Sequence, residues 1–262
     1  MLAIFSIPTQ LYAAEFTAAE IMQRVDDRED GSSMVAEYTM VLIDRRDRQR
    51  VRDLKLYSKD YGADTRVLSP FESPADIRDT AYLNMDWDDP ARDDDSWLYL
   101  PALQRVKRLA SSDTSDSFLG RDFTYADING FDLAWYNYEL VNSSELIDGH
   151  DTCVIEAIPK PEFKTLAENA TSYSKLQSWI RKDNFLQLRG QAWELRGNRI
   201  KYFTASEIEL IDDIWTVGKL QAVTTRNGSQ EHASVLQVKS IQYNTELGDE
   251  IFTTEYMERG LD

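Results

Sequence analysis

The second half of the chain is a succession of long strand-type runs joined by short polar turns, and that grammar permits little besides an antiparallel sheet. Segments 135–146, 152–158, 172–180, 185–195, 200–211, 214–225 and 233–243 are rich in β-branched and aromatic residues. Between them stand Asp148-Gly149, Lys182-Asp183-Asn184, Arg196-Gly197-Asn198 and Arg226-Asn227-Gly228. These are turn chemistries that connect neighbouring strands directly, without the helix that a parallel crossover needs. No glycine-rich loop follows a strand and no strand–helix alternation appears, so a doubly wound nucleotide-binding domain is not expected. Only 11 glycines and strands of this length also argue against propeller blades or a solenoid.

The first half follows the same rule with more interruption. In segment 34–43, Met34, Ala36, Tyr38, Met40 and Leu42 fall on one side, and the loop Asp44-Arg45-Arg46-Asp47 turns the chain back into 51–58 as a hairpin. Strands are expected again at 80–87, 96–100 and 105–109. Ahead of all of them, Thr17-Ala18-Ala19-Glu20 is a capping box, with Ile21, Met22 and Val25 on one helical face behind it. Ser73-Pro74-Ala75-Asp76 predicts a short helical turn. Segment 113–127 is punctuated by Asp, Ser and Gly around Phe118, Leu119, Phe123 and Tyr125, which predicts a partly helical excursion with one apolar side, a candidate lid. Segment 159–171 breaks the strand pattern but is too short to be a linker. The expected fold is mainly β: one large curved antiparallel sheet or unclosed barrel with a few covering helices, forming a single domain over 15–262.

Charge and composition narrow the function. With 46 acidic against 29 basic residues in 262, the formal net charge is −17, which opposes nucleic-acid binding and adsorption to an anionic bilayer. The apolar run from Leu2 to Ala14 is too short to span a bilayer and reads as a signal peptide over 1–14, with no cysteine after it to carry a lipid anchor. An exported, periplasmic protein is expected. A single cysteine, Cys153, in an apolar β run, and two turn-edge histidines, His150 and His232, offer neither a disulfide nor a Cys/His metal cage.

The ten residues 86–95 hold six aspartates, but the positions where a calcium-binding hand needs glycine and glutamate hold Ala91 and Trp97. A solvated loop is the expected reading, a nonstandard calcium site the alternative. No Gly-x-Ser-x-Gly elbow is present and no pair of carboxylates stands out for hydrolysis, so neither a catalytic residue, a metal nor a cofactor is assigned. What the strands do carry is adaptable apolar surface. Met34, Tyr38, Met40, Leu42, Trp97, Tyr99, Trp135, Trp193 and Phe203 are the candidates to line a cavity that binds by area, as acyl chains require.

Two runs carry a family resemblance: Asp93-Asp94-Asp95-Ser96-Trp97-Leu98-Tyr99-Leu100-Pro101-Ala102-Leu103-Gln104-Arg105-Val106-Lys107-Arg108, and Phe118-Leu119-Gly120-Arg121-Asp122-Phe123-Thr124-Tyr125-Ala126-Asp127. With Ser172-Tyr173-Ser174-Lys175, Trp179-Ile180-Arg181-Lys182-Asp183-Asn184 and Ile214-Trp215-Thr216, the chain resembles the outer-membrane lipoprotein-sorting-like proteins of Gram-negative bacteria over most of its length. The resemblance implies a fold like that of the periplasmic lipoprotein carrier LolA, an unclosed barrel whose apolar interior shelters acyl chains under helices. It further implies a lipid or lipoprotein carrier, in transient membrane contact only, working with an inner-membrane transporter of the RND/MMPL type. The alternative is an accessory or sensing module that binds the same ligands and transports nothing. A metal-assisted hydrolase built on the aspartate loop is a distant third and would need a cation for turnover.

Overall fold

The computed structural model describes residues 16–89, 92–110, 113–118 and 122–259. The expected signal peptide over 1–14 and the candidate lid residue Leu119 lie outside them. Among the described residues, thirteen strands form one sheet: β1 (Ser33–Ile43), β2 (Gln49–Tyr61), β3 (Asp64–Ser73), β4 (Ala81–Asp86), β5 (Asp95–Leu100), β6 (Arg105–Leu109), β7 (Tyr136–Ile147), β8 (His150–Pro159), β9 (Tyr173–Arg181), β10 (Gln187–Glu194), β11 (Arg199–Ile211), β12 (Ile214–Arg226) and β13 (Ser229–Tyr243). Their order in the sheet is β6-β5-β4-β3-β2-β1-β13-β12-β11-β10-β9-β8-β7, and neighbours run antiparallel throughout. The chain therefore builds outward from β1 to β6, crosses to the far edge, and returns strand by strand until β13 pairs with β1. Consecutive strands β6 and β7 are the two unpaired edges, so the sheet is unclosed and the residues between them must pass from one edge to the other.

Turn chemistry explains the long meander. Asp148-Gly149, Asp212-Asp213 and Asn227-Gly228 each place two successive residues at positive φ, from 49° to 87°, the backbone twist that matches two-residue hairpins. Asp and Asn tolerate that region better than other side-chain-bearing residues do.

The sheet is rolled. Strands β4 and β11 stand six strand spacings apart, about 29 Å across a flat sheet. Yet Tyr82 of β4 packs on Tyr125 with ring centroids 4.8 Å apart, and Phe203 of β11 packs on Phe123 at 6.5 Å. Two aromatics only two residues apart can reach both strands only if the sheet curls around them. The face that meets them is the inner face.

Four helices accompany the sheet among the described residues: α1 (Ala18–Asp26), α2 (Tyr125–Asn129), α3 (Lys164–Thr171) and α4 (Thr254–Arg259). The capping box at Thr17 and Glu20 forms as the sequence predicts, and α1 packs Ile21 and Met22 against Cys153, Ile155 and Ile180. The carboxyl-terminal segment covers the outer face of β3–β6, where Phe252 and Met257 bury Leu68, Leu83 and Tyr99. Lys59 donates to the Leu247 carbonyl at 2.8 Å and to Asp249 at 2.7 Å, holding that segment in place. No helix among the described residues is long and apolar enough to cross a membrane.

Three elements depart from the sequence expectation. β3 was not expected: Leu68, Ser69, Pro70 and Phe71 are buried in succession, and Pro70 lacks the N–H a central strand normally uses. Helix α3 replaces part of the strand break at 159–171, and α4 arises where no element was expected; α3 has no side-chain cap at Phe163 to signal it. Pro74 accepts from Ile77 and Arg78 at 3.1 and 3.0 Å, so the expected helical turn is a single closed turn.

Candidate functional site

The inner face is apolar across most of the sheet's width. Met40 and Leu42 of β1, Leu54 of β2, Phe71 of β3, Tyr82 of β4, Leu98 of β5, Leu109 of β6 and Ala222 of β12 form one buried cluster, and Tyr38, Phe203, Leu220 and Leu236 pack against it. The centre of that cluster is not empty. Phe118, Phe123 and Tyr125, from the β6–β7 connection, lie within it and are each at least 96% buried. Phe118 makes edge contacts with Tyr82 and Tyr125 at 5.6 and 5.3 Å and a tilted contact with Phe71 at 5.9 Å. Each such side chain contributes roughly 1.5–3 kcal/mol by leaving water. The connection thus acts as a plug, made by the chain itself, in the space the rolled sheet encloses.

Local hydrogen bonding shapes the plug. Ser117 and Thr124 pair as an antiparallel bridge, and the Phe118 N–H donates to the Phe123 carbonyl at 2.8 Å. Thr124 then caps α2, with the Asp127 carboxylate returning to the Thr124 N–H at 2.8 Å.

Polar groups fasten the plug to the sheet at three places. Asp127 pairs with Lys201 of β11 at 2.7 Å, with both side chains more than 90% buried, and accepts from the Tyr173 hydroxyl at 2.7 Å. Burial and the Asp127 charge push the Tyr173 hydroxyl well above its ordinary pKa. Asp122, fully buried, accepts from the Ser234 hydroxyl at 2.7 Å and is bound to His232 Nδ1. Asn129 donates to the Tyr82 hydroxyl at 2.6 Å, which itself contacts Ser96 at 3.1 Å. A buried charge left without its partner costs several kcal/mol, so these contacts fix where the plug sits as well as holding it.

The expected cavity residues divide between the two faces. Tyr38, Met40, Leu42 and Phe203 belong to the inner cluster, and Met34 shares their side of β1 by the strand pleat. Trp97 and Tyr99 lie on the outer face, in the cluster under α4. The pairs Leu83–Trp97 and Tyr82–Leu98 show why: one residue of register separates inner from outer. Trp193 follows the inner Ala192 and sits on the outer face beneath the Lys175 ammonium, 4.1 Å from its ring centre. Trp135 packs near Tyr136 at the start of β7. Of the expected lid, Phe118, Phe123 and Tyr125 occupy the interior; Leu119 is outside the described residues.

Asp122, Asp127 and Tyr173 fall within the runs that carry the family resemblance but were assigned no role from the sequence; Lys201 was not singled out, and His232 was read as a turn-edge residue. The available signal was a pair of aspartates interleaved with the aromatics of 118–127, each needing a partner if buried. Where β4 ends, burial and the neighbouring Asp94 push the Asp86 carboxyl up to about 7, with Asp86 hydrogen-bonded to Asp94. Among the described residues, no group of three or more His, Cys, Asp or Glu is placed to hold a metal ion.

A family model described as "-like: Uncharacterized protein" matches residues 63–259. No curated protein matches the chain. Among solved structures, a DUF1329 family protein from Desulfovibrio piger is 30% identical, with a TM-score of 0.81, covering 92% of this chain and 97% of that one. A protein described as an outer-membrane lipoprotein-sorting protein domain, from Vibrio parahaemolyticus, is 26% identical, with a TM-score of 0.80 and coverage of 92% and 98%. A LolA superfamily protein from Nitrosomonas europaea, 20% identical, shares the fold with a TM-score of 0.68 and coverage of 92% and 100%.

Proposed function

Because the chain belongs to the DUF1329 family of outer-membrane lipoprotein-sorting-like proteins, with a LolA-like fold, we propose that it is a periplasmic lipid-binding protein that shelters acyl chains against its inner face. The observation that carries this reading is the plug. An apolar interior spanning β1–β6 and β11–β13 is filled by three aromatics of a connection that bridges two unpaired sheet edges, instead of by residues of the strands alone. Such a connection can leave without breaking a strand pairing, and a leaving plug exposes a surface that only another apolar chain can cover. Each methylene sheltered there contributes about 0.8 kcal/mol, so affinity is readily supplied and release becomes the controlled step.

The finer role is a carrier that takes lipid or lipoprotein from an inner-membrane transporter of the RND/MMPL type and delivers it toward the outer membrane. Transfer of a pyrene-labelled lipid between donor and acceptor vesicles, with the protein present in catalytic amount, tests it. Acceleration supports the carrier. Tight binding of the same lipid without acceleration overturns transport and leaves a sensing or accessory module.

A further inference from the structure

The end of the barrel bearing the β1–β2, β10–β11 and β12–β13 turns is basic in a molecule whose net charge is −17. Arg45, Arg46, Arg48 and Arg199 line an open cavity of about 450 Å³ there, together with Asp44, Glu231 and His232. With Arg226 these make five arginines, against the carboxylates of Asp44, Glu231 and Glu194, the last 3.9 Å from Arg199. Glu231, its side chain 96% buried, is shared by Arg199 at 2.6 Å, Arg226 at 3.2 Å and Arg45. Asp44 is committed to Arg48, and Arg46 makes no salt bridge among the described residues. The hydrogen bond from Arg199 and the charges around it hold Glu231 below the usual carboxylate range, so it stays ionised and keeps the guanidiniums oriented. A convergent set of guanidiniums carrying more charge than its carboxylates is an anion receptor. The turns at the opposite end carry Asp64, Asp148, Asp212 and Asp213, a charge asymmetry that favours an anion at the arginines.

The basic strip continues inward. Arg50 and Arg52 pair across from Leu42 and Met40, and so stand on the inner side of β2 next to the apolar cluster. The Arg52 Nη1 is buried and has no hydrogen-bond partner among the described residues. Buried donors are rarely left so, and this one lies where arginine gives way to Leu54 along a single strand. A free anion has no use for the apolar side of that boundary; an amphiphile has use for both.

We propose that this arginine strip is a subsite for the phosphate-bearing headgroup of the amphiphile whose acyl chain the inner face shelters, an inference that rests on the lipid-binding reading above. Phosphate is favoured because the guanidiniums present more donors than one carboxylate can accept. One lining residue, His232, also holds Asp122 of the plug, so an occupied headgroup site adjoins the fastening that must loosen to admit the chain.

The test is calorimetric titration of the full chain with lysophosphatidic acid, with a monoacylglycerol of the same acyl chain, and with inorganic phosphate. The variants are Arg46→Gln and Arg50→Gln, both at exposed positions. Lysophosphatidic acid is expected to bind at least about tenfold more tightly than the monoacylglycerol. Each variant is expected to lose most of that preference while binding the monoacylglycerol unchanged. Equal affinity for the two amphiphiles, or a preference untouched in both variants, overturns the headgroup subsite and leaves lipid binding standing. Inorganic phosphate binding as tightly as lysophosphatidic acid assigns the strip to a free anion and overturns the inference. Failure of both amphiphiles to bind overturns the lipid-binding reading itself.

Discussion

Lys201 and Asp127 are the residues whose loss separates holding the plug from merely packing it. Lys201→Met leaves the Asp127 carboxylate buried beside Tyr173 without its cation. It should lower the unfolding free energy by about 3–5 kcal/mol in urea titrations. Adding Asp127→Asn removes the stranded charge and should recover a large part of that loss; an unchanged deficit in the double variant would mean the pair acts only through packing. Asp86 gives the opposite kind of prediction. Its folded pKa is raised to about 7 by burial and by Asp94, so the folded state holds a proton there that the unfolded chain has released. Stability from this group is present below about pH 4 and is lost as the pH rises toward 7. Asp86→Asn should therefore melt above the parent at pH 8 and beside it at pH 4, as thermal scans at the two values would report. Neither site was legible in the sequence, for the same physical reason. Lys201 and Asp127 are 74 residues apart, and Asp86 looked like one aspartate among many until burial set it apart. A polar residue's role depends on what folding brings next to it.

At the scale of elements, the strands were legible wherever one face met water. β1, β11 and β12 start and stop within one residue of the expected runs, because alternation marks both ends of a half-buried strand. β3 was not, because Pro70 counts against a strand; β4, buried as fully at Ala81–Asn84 but without a proline, was expected. The lack of any one-residue marker of face sent Trp97, Tyr99 and Trp193 to the expected cavity, although they lie outside. The plug segment was recognised by its apolar side, but as a cover; its three aromatics proved to be the filling. That placement predicts the behaviour of Phe123→Ala. Removing a fully buried ring beside Phe203 should destabilise the fold by about 3–5 kcal/mol. If the plug and ligand compete for one space, the variant should also bind a fluorescent fatty acid more tightly than the parent. Weaker or equal binding, measured by titration on folded protein, would mean the ring belongs to the ligand site and does not compete for it.

For the whole molecule, topology explains what composition could only bound. Placing β6 and β7 at opposite edges leaves the rolled sheet open and sends one connection through its interior. Charge is distributed along the same body, with the arginine turns at one end and the aspartate loops at the other. The family resemblance in the sequence anticipated the unclosed barrel, and the solved relatives share it. It did not anticipate an occupied interior, since filling depends on contacts between residues far apart in the chain. The proposed function requires that this interior be exchanged between plug and acyl chain. Native mass spectrometry of protein purified from a periplasmic fraction, with lipid extraction of a denatured aliquot, addresses it most directly. A stoichiometric apolar ligand, bound to the folded chain and released on denaturation, is expected. A protein that is empty as isolated and also refuses added fatty acids and lysolipids would contradict it.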